Sequence, residues 1–436
     1  MCSFLITNKD IEYLETLIKL NKKINYKLKF RGPNHTEVKI INKITFIHNL
    51  LYITGKKTIQ PLVKDNIVCL FNGEIYNYKQ FNNEYQSDGE CLIDLYLKYG
   101  DKFTSKLHGE FCIVLFDFNK NYAIISSDIF ATKPIFLSVC DKTKKLGISS
   151  YKYTLEELGF KDIYKLEANV ILKLCLNNYR FNLIGNVHKF KLSQHKGKLN
   201  DFNEALINSI KLRTNNIQHK LFITLSSGYD SGTLACLLKQ LNIDFYTYTS
   251  LKGENKDIIN KRIDYINLKD KSYIYNISES EINLTKIDLY KKVDKFQSFI
   301  DKNKTKQYNI LTDVASYGLA YLFNEARKND CIIHLSGQGP DEIFADYGFN
   351  GTKFKSHSCF GGKFPDKLET IFPWYSFFKG TQECFINKEE YIGGCYGIEN
   401  RYPFLDKNVV QEFLHLSPRI KNRFYKCPLY LIMKQN

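Results

Sequence analysis

Hydrophobic and polar positions change their spacing along the chain, and the change divides it into two halves. Up to about residue 188, short apolar runs typical of β-strands alternate with turn residues, at residues 44–47, 67–71, 111–118 and 123–126. Residues 90–99 have helical spacing instead, and Gly100 ends the predicted helix. We therefore expect a strand-rich first domain over residues 2–188.

The second half has a different pattern. A polar stretch without a clear period, residues 189–198, separates the two halves. A predicted helix follows, with Phe202, Leu206 and Ile210 on one face. The chain then alternates helical segments with β-like runs at residues 221–225, 245–249, 272–277 and 331–335. This alternation is typical of a parallel sheet flanked by helices, so residues 200–436 are predicted to form an α/β domain.

Two strands of the second half end in turns of small residues with an acid behind them. Run 221–225 leads into Ser226-Ser227-Gly228-Tyr229-Asp230-Ser231, and run 331–335 leads into Ser336-Gly337-Gln338-Gly339-Pro340-Asp341. Backbone N–H groups at a strand-to-helix turn attract an anion such as phosphate. A carboxylate repels phosphate unless a cation lies between them, so Asp230 and Asp341 indicate a shared Mg²⁺. For the first segment by itself, an ordinary strand-to-helix turn remains the alternative.

The first half offers a candidate nucleophile. Cys2 becomes the first residue if Met1 is removed, and its α-amine, with a reference pKa of roughly 7.7–8.0, can then act as general base for its own thiol. The alternative is that a cysteine at position 2 has no role.

Residues 72–77 and Asp88 support the interpretation of Cys2 as a nucleophile. Asn72 and Gly73 follow a predicted strand and can form an oxyanion hole, while Glu74 can pair with a substrate ammonium group. Asp88 is either the N-cap of the predicted helix or a second partner for that ammonium. A turn followed by a capped helix is the alternative for this region.

The composition of the chain bears on whether it binds nucleic acid or a membrane. The net charge of +16 suggests nucleic acid, but only eight of the 62 basic residues are arginine, the residue preferred for bidentate phosphate and base contacts. We therefore do not expect a nucleic-acid partner. No apolar run approaches the roughly 20 residues that cross a bilayer, and the first residues lack the features of a signal peptide. We expect a soluble, cytoplasmic protein without membrane contact.

The ordered set of motifs resembles the glutamine-hydrolysing asparagine synthetase family. The first half resembles the class II glutamine amidotransferase domain through Met1-Cys2-Ser3, Arg31-Gly32-Pro33, Asn72-Gly73-Glu74-Ile75-Tyr76-Asn77, Ser87-Asp88 and Lys133-Pro134. The second half is similar to the ATP-pyrophosphatase synthetase domain at residues 225–231, 336–347 and 397–406. The resemblance covers nearly the whole chain, and the set is specific although each segment alone is not.

The resemblance implies a fold and two linked reactions. The first domain would be an Ntn-hydrolase-type αββα sandwich, and the second a parallel-sheet ATP-pyrophosphatase domain. Glutamine would be hydrolysed through a thioester on Cys2, with Asn72 and Gly73 stabilising the oxyanion and with Glu74 and Asp88 holding the amino group. Ammonia would then pass internally to the second domain.

The second domain would activate a carboxylate with ATP. The resemblance implies that ATP binds at Leu225, Ser226, Ser227, Gly228, Asp230, Ser231, Ser336 and Gly337, with Mg²⁺ at Asp230 and Asp341. The acceptor, expected to be aspartate, would be adenylated, and ammonia would displace AMP. Lys426 matches a pyrophosphate-binding lysine, and Glu399 is an acid/base candidate whose alternative role is a structural pair with Arg401. A homodimer is compatible with the sequence.

Several positions depart from the family pattern. Leu50 replaces an arginine expected on the glutamine carboxylate, and Arg31 can compensate as a substrate-binding residue. Ser227 replaces a glycine of the phosphate loop, which requires backbone angles that suit a residue with Cβ. Gln338 replaces a glutamate and removes its charge. The other departures are Asn34 and Tyr430.

Three other functions remain open. The same fold could amidate a different carboxylate, such as a sugar acid or a peptide, or close an intramolecular amide. An RNA-modifying ATP pyrophosphatase would fit the basic charge but not the Cys2 domain. A non-catalytic binding protein would not need Cys2, Asp230, Asp341 and Lys426 together.

Overall fold

The computed structural model describes residues 2–9, 23–140, 142–295, 297–346, 348–349, 352–353 and 360–435. The chain forms two compact units. The first contains residues 1–189 together with the short segments 292–295 and 393–397. The second contains residues 190–291, 296–392 and 398–436. Met1 and Tyr347, which belong to motifs singled out above, lie outside the described residues.

Strands dominate the first unit. They are β1 (Ser3–Thr7), β2 (His35–Ile41), β3 (Ile44–Leu50), β4 (Leu62–Lys64), β5 (Ile67–Ile75), β6 (Gly109–Asp117), β7 (Tyr122–Ser127), β8 (Phe136–Cys140), β9 (Lys145–Ser149), β10 (Tyr164–Lys165), β11 (Ile171–Cys175) and β12 (Phe181–Gly185). They form two six-stranded sheets, with the orders β10-β8-β9-β1-β3-β2 and β12-β11-β7-β6-β5-β4. Neighbouring strands are antiparallel, as in the pairing of β5 with β6.

The two sheets of the first unit share one core. Phe4 and Phe46 of one sheet pack with Val114 and Ile125 of the other, and all four are fully buried. Apolar side chains at alternate positions of each strand face this layer, because the side-chain period of a strand is two. Helices α1 (Lys23–Arg31), α2 (Cys91–Tyr99) and α3 (Lys152–Glu157) accompany the sheets. This arrangement is the αββα sandwich that the sequence predicts.

The second unit contains a five-stranded parallel sheet. Its strands are β13 (Lys220–Thr224), β14 (Tyr246–Ser250), β15 (Ser272–Tyr275), β18 (Cys331–Leu335) and β21 (Glu399–Arg401), in the order β15-β14-β13-β18-β21. Each neighbouring pair is parallel. Two short antiparallel pairs add β16 (Gln297–Phe299) with β17 (Gln307–Asn309), and β19 (Gly348–Phe349) with β20 (Thr352–Lys353).

The remaining helices complete the chain. They are α4 (Asn200–Thr214), α5 (Tyr229–Gln240), α6 (Lys256–Ile266), α7 (Glu279–Lys292), α8 (Val314–Lys328), α9 (Pro340–Ile343), α10 (Tyr375–Phe378), α11 (Thr381–Tyr396), α12 (Lys407–His415), α13 (Pro418–Lys421) and α14 (Cys427–Gln435). None of the helices in the described ranges is long and apolar enough to cross a membrane.

The hydrophobic pattern predicted these elements well. The run 67–71 became β5, the run 221–225 became β13, and the helix expected at 90–99 is α2, which ends at Gly100 with a φ of 68°. The glycine-rich turns follow β13 and β18, which are neighbours in the parallel sheet. Both turns therefore lie at the same edge of the sheet, as expected for a ligand site in an open α/β fold.

Candidate active sites

Cys2 lies directly before β1 and is buried in the first unit, with 8% of its surface exposed. Its main-chain nitrogen donates a hydrogen bond of 2.7 Å to Oδ1 of Asn72 on β5. Its Sγ lies 3.9 Å from the carbonyl oxygen of Leu51. The fold therefore brings together Cys2 and the Asn72 motif, which are 70 residues apart in sequence.

Asn72 and Gly73 face Cys2 from the end of β5. Because Oδ1 of Asn72 accepts from Cys2, the Nδ2 end of the amide points elsewhere, and it is buried without a partner among the described residues. Gly73 has a φ of +140°, and a Cβ there would lie 1.9 Å from the carbonyl oxygen of Glu110 on β6. Only glycine fits this approach of two strands. Asn72 thus keeps one amide donor that is not used among the described residues.

Glu74 and Asp88 are held by specific hydrogen bonds. The hydroxyl of Thr54 donates to Oε1 of Glu74 at 2.6 Å. The main-chain nitrogen of Ile75 donates to Oδ2 of Asp88 at 2.9 Å. Asp88 is not the N-cap of α2, which was one of the two alternatives, because the cap position falls on Glu90. Asp88 instead ties the segment before the helix to the end of β5.

Arg31 is fully buried, and its Nε donates to the main-chain oxygen of Cys2 at 2.9 Å. Its guanidinium also lies 5.8 Å from the ring centre of Tyr151. These contacts are those of a residue that positions the Cys2 main chain. They differ from the expected contact with a glutamine carboxylate, and Leu50, where the family has an arginine, is buried as well.

In the second unit, the turn after β13 is closed by its own side chains. The main-chain nitrogen of Ser226 donates to Oγ of Ser231 at 2.9 Å, and the nitrogen of Gly228 donates to Oγ of Ser226 at 3.2 Å. Leu225 is anchored to the sheet by a bond from its nitrogen to the carbonyl oxygen of Tyr248, at 3.0 Å. The backbone at Ser227 has no positive φ, so serine is tolerated where the family has glycine.

Two charged residues that the sequence did not reveal contact this turn. Oε2 of Glu254 accepts from the main-chain nitrogen of Ser227 at 2.5 Å and also from the Ser227 hydroxyl. The guanidinium of Arg262 donates to the carbonyl oxygens of Gly228, at 2.8 Å, and of Ser226. A carboxylate thus accepts from a backbone N–H of the turn, and the binding of a phosphate there stays a prediction.

The two acids behind the turns meet at one lysine. Nζ of Lys426 lies 2.7 and 2.9 Å from the carboxylate oxygens of Asp230, and 2.8 Å from Oδ1 of Asp341. Tyr425 also donates to Oδ1 of Asp341, at 2.8 Å. A Cβ at Gly337 would lie 3.4 Å from Cβ of Asp230, which shows how closely the two turns approach.

Burial and mutual charge shift the pKa values in this cluster. Burial raises the pKa of Asp230 to about 6, with Lys426 opposing the shift and Asp341 adding to it. Burial alone would lower the pKa of Lys426, but Asp230 and Asp341 outweigh it and raise that pKa. Lys426 is therefore a charged ammonium at neutral pH.

The acid pair fits Mg²⁺, although it supplies only part of a coordination shell. Asp230 and Asp341 direct hard carboxylate oxygens at one cation, at present the ammonium of Lys426. No group of three or more His, Cys, Asp or Glu side chains in the described part of the chain is arranged to hold a metal ion. Mg²⁺ typically takes one or two protein carboxylates and completes its shell with phosphate oxygens and water.

A cavity of about 680 Å³ opens beside the two turns. Among its lining residues are Ser226, Asp230, Gly337, Gln338, Asp341, Glu254, Lys388, Glu389, Ile277, Leu319 and Phe385. Apolar walls with a few charged groups at one end are typical of small-molecule sites. Its volume lies in the range of about 300–1,000 Å³ that such sites occupy.

Glu399, the predicted acid/base residue, does not belong to the described lining of this cavity. It is 2% exposed, and its Oε1 accepts from Nε of Arg401 at 2.7 Å. This contact is that of the structural pair with Arg401, and the acid/base role of Glu399 stays a prediction. Glu389 on α11 lies in the cavity instead, and burial raises its pKa to about 7.

Comparison with known proteins decides the family. A family model described as glutamine amidotransferase domain matches residues 1–196, and one described as asparagine synthase matches residues 201–378. A rat protein named asparagine synthetase [glutamine-hydrolyzing] is 25% identical over 442 residues, covering 91% of this chain and 74% of the relative. The chain belongs to the glutamine-hydrolysing asparagine synthetase family.

A second sequence relative agrees with this assignment, and one structural alignment is reported beside it. A Methanocaldococcus jannaschii protein, provisionally named as an asparagine synthetase of the same type, is 26% identical over 435 residues, with 92% of this chain and 74% of the relative covered. Glutamine phosphoribosylpyrophosphate amidotransferase of B. subtilis aligns structurally with a TM-score of 0.34 at 11% identity, over 95% of this chain and 92% of that one. This family member is a glutamine-dependent amidotransferase and ligase, in a family that uses ATP.

Proposed function

We propose that this enzyme transfers ammonia from glutamine to the side-chain carboxylate of aspartate, at the expense of ATP, which is cleaved to AMP and pyrophosphate. The observation that carries the proposal is the meeting of Asp230, Asp341 and Lys426 beside the cavity of the second unit. Two acids and a lysine at paired strand ends suit the binding of a triphosphate that is to be split at its α-phosphate.

Glutamine hydrolysis is assigned to Cys2. The thiolate attacks the amide carbon of glutamine, a C–S bond forms, and the carbonyl oxygen becomes an oxyanion that accepts from Nδ2 of Asn72. The α-amine of Cys2, exposed once Met1 is removed, takes the thiol proton and passes it to the departing ammonia. Water then attacks the thioester, releasing glutamate and the thiol.

The glutamine amino group is assigned to Glu74 and Asp88. Both are carboxylates fixed by hydrogen bonds, from Thr54 and Ile75 respectively, at the end of β5. An ammonium group close to two carboxylates is stabilised without a further counter-ion. For Arg31, we propose the positioning of Cys2 through the 2.9 Å bond to its carbonyl oxygen. Its contact with the glutamine carboxylate stays a prediction.

ATP is assigned to the two glycine-rich turns of the second unit. Ser226, Ser227, Gly228 and Ser231 would face the phosphates, with Leu225, Ser336 and Gly337 lining the rest of the nucleotide site. Asp230 and Asp341 would hold Mg²⁺, which when bound neutralises phosphate charge. Lys426 would neutralise the pyrophosphate as it leaves. Glu254 has to give way, because it occupies the N–H of Ser227 that a phosphate would use.

The acceptor carboxylate attacks the α-phosphorus of ATP, and the bond to pyrophosphate breaks. Ammonia then attacks the acyl carbon, an amide forms, and AMP leaves. Aspartate brings an α-carboxylate and an ammonium group that both need partners when buried. Lys388 and Glu254, both in the cavity wall, provide one group of each charge.

The proposal is tested by incubating the purified enzyme with glutamine, ATP, Mg²⁺ and a panel of carboxylates at equal concentration. The panel contains aspartate, a sugar acid and a peptide with a free carboxylate. Mass spectrometry identifies the amide, and AMP and pyrophosphate are quantified. We expect asparagine well above every alternative. If AMP release does not depend on aspartate but does depend on another carboxylate, that carboxylate is the acceptor. Acceptor-dependent formation of ADP would contradict the cleavage of ATP to AMP and pyrophosphate.

A further inference from the structure

Glu389 on α11 is a buried acid in the wall of the synthetase cavity, and no step described so far uses it to move a proton. Only 6% of its surface is exposed. Burying an ionised carboxylate costs several kcal/mol unless it is paired and hydrogen-bonded, so a buried glutamate in a cavity wall calls for a reason.

The carboxylate of Glu389 is only partly satisfied. The side chains of Ser336 and Gln338, both in the turn after β18, lie close enough to it to lower its pKa. Its Oε2 is buried and has no hydrogen-bond partner among the residues that the structure describes. Buried polar atoms in proteins are almost always satisfied, so an unsatisfied carboxylate oxygen beside a cavity points to an absent partner.

Gln338 explains why another residue has to supply a proton-accepting carboxylate in this cavity. Its side chain is a neutral amide, which can orient a carboxylate by donating to it but cannot take up a proton at physiological pH. Glu389 lies beside Gln338. It therefore supplies a carboxylate close to the position in the turn after β18 where the family has a glutamate and this chain has an amide.

The chemistry of amide formation requires a proton acceptor. When ammonia attacks an acyl-adenylate, the new C–N bond places a positive charge on nitrogen. One proton has to leave that nitrogen before the C–O bond to AMP breaks, giving the amide, AMP and one proton. We propose that Glu389 accepts this proton on its carboxylate, beside the side chains of Ser336 and Gln338. This role rests on the proposed function of the same cavity.

The surroundings of Glu389 suit a base that works near neutral pH. Burial raises the pKa of its carboxyl to about 7, with the Ser336 hydrogen bond, Lys388 and Gln338 limiting the shift and Glu390 adding to it. Lys388 is itself paired with Asp313 at 3.5 Å. A base whose pKa lies near the working pH gives the best balance of ionised fraction and proton affinity.

Asn400 and His334, which lie on the main-chain side of Glu389, are uncharged and do not lower its pKa. Asn400 on β21 donates from Nδ2 to the main-chain oxygen of Glu389 at 2.8 Å, and its Oδ1 lies 2.9 Å from Nδ1 of His334. Burial lowers the pKa of His334 to about 4, so its imidazole is neutral at pH 7.

The test separates activation of the acceptor from formation of the amide. Exchange of labelled pyrophosphate into ATP, dependent on aspartate, reports adenylation and needs no nitrogen nucleophile. Asparagine formation with ammonium chloride reports the second step and bypasses glutamine. In Glu389→Gln we expect exchange to stay within about threefold of the unmodified enzyme, and amide formation to fall by about 100-fold or more, the usual effect of losing a general base.

A pH profile distinguishes a proton acceptor from a purely structural residue. At a fixed concentration of free ammonia, the unmodified enzyme should gain amide-forming activity as the pH rises through about 7, where Glu389 ionises. Glu389→Gln should lack this rise. Hydroxylamine, a weaker base than ammonia, forms an adduct that loses its proton more readily, so the defect should shrink with it.

Two further variants keep the test decisive. Glu390→Gln changes the neighbouring buried acid, which accepts from Tyr402 at 3.1 Å. This variant should keep the rise in activity with pH, displaced to lower pH because the charge of Glu390 contributes to the raised pKa of Glu389. Exchanging the carboxylate and the amide in Gln338→Glu/Glu389→Gln should recover part of the activity. Equal loss of exchange and amide formation in Glu389→Gln, or unchanged amide formation, would overturn the assignment. Absence of aspartate-dependent exchange in the unmodified enzyme would instead contradict the proposed function itself, and this inference with it.

Discussion

The contact between Cys2 and Asn72 shows how one hydrogen bond selects the orientation of an amide. While Met1 precedes it, the Cys2 nitrogen is an amide N–H that can only donate, so the end of Asn72 that meets it at 2.7 Å has to be Oδ1. The Nδ2 donor is thereby directed away from the Cys2 nitrogen. An oxyanion-hole donor that is already oriented costs no reorganisation when the charge develops.

Replacement of Cys2 by alanine should abolish glutamine hydrolysis and leave ammonium-driven synthesis intact, because the two chemistries use different residues. We expect glutamate release to fall by about three orders of magnitude or more, as for other covalent nucleophiles. Glutamate and asparagine are measured in parallel, with glutamine or ammonium chloride as nitrogen source. Cys175→Ala, at a half-buried position on β11, serves as the control. Normal glutamine hydrolysis by Cys2→Ala would rule out this nucleophile.

Asp230→Asn and Asp341→Asn should each weaken the synthetase reaction, because each removes one of the two carboxylates that meet at Lys426. An amide keeps the shape but loses the charge of a hard oxygen ligand. We expect AMP formation to fall by about 100-fold, with a higher Mg²⁺ concentration needed for half-maximal rate. Asp264→Asn, at an exposed ion pair with Lys269, is the matched control. An unchanged Mg²⁺ requirement in both variants would show that these two aspartates do not bind the metal.

Strands β5 and β6 explain why the segment proposed to form the oxyanion hole needs a glycine. The two strands pair antiparallel with Gly73 opposite Phe111, and the approach is so close that no side chain fits between them. The same register places Asn72 opposite Cys112 and fixes where its side chain begins. The segment with Asn72 and Gly73 is thus positioned by sheet pairing and not by a loop.

Gly73→Ala should therefore destabilise the first unit. The added methyl would lie 1.9 Å from the carbonyl oxygen of Glu110 and 2.7 Å from Cα of Phe111, so one strand has to shift. We expect a loss of about 2–4 kcal/mol in the free energy of unfolding, in line with other severe packing and backbone violations. Chemical denaturation measures it. Gly197→Ala, where no described heavy atom lies within 4 Å of the new methyl, should change stability by less than about 0.5 kcal/mol. Similar stabilities for both variants would contradict the strand geometry.

Sequence reasoning succeeded wherever the signal was local. Apolar alternation predicted β5, β13 and β18, and the small-residue turns predicted where Asp230 and Asp341 would lie. It failed for Glu254, which contacts Ser227 from 27 residues away, because no local pattern links the two. Glu389 had one weak signal, since two adjacent acids stand between the apolar pairs Phe385-Ile386 and Tyr391-Ile392. For Glu399, the sequence left an acid/base role and a structural pair with Arg401 open, because their 2.7 Å contact depends on the folded sheet.

Stability of the whole chain should depend on the protonation of a buried histidine. His334 on β18 is fully buried, and burial lowers its pKa from an ordinary value of 6.5 to about 4. Between these two values the unfolded chain binds a proton that the folded chain does not. The contribution of His334 to stability is therefore present above pH 6.5 and is lost as the pH falls toward 4.

This loss can be isolated by comparing the unmodified protein with His334→Gln. From pH 7 to pH 5, the unmodified protein should lose about 2 kcal/mol more of its unfolding free energy than the variant does. Urea denaturation at a series of pH values gives both curves, and their difference cancels the contributions of all other titrating groups. Parallel curves would mean that the imidazole titrates normally in the folded state.

Lys426 gives the acid pair a counter-ion of its own, and this has a consequence for how ligands enter. If Asp230 and Asp341 hold Mg²⁺ as proposed, the metal and the ammonium compete for the same oxygens, which lie 2.7–2.9 Å from Nζ. A bound triphosphate would attract the Lys426 ammonium away from the two carboxylates and so leave them free to bind the metal. A bound metal would in turn displace Lys426 from the carboxylates and so leave it free to bind the triphosphate. By thermodynamic reciprocity, each ligand then strengthens the binding of the other by the same factor. The enzyme would discriminate against free nucleotide and free metal alike, and admit them as a pair.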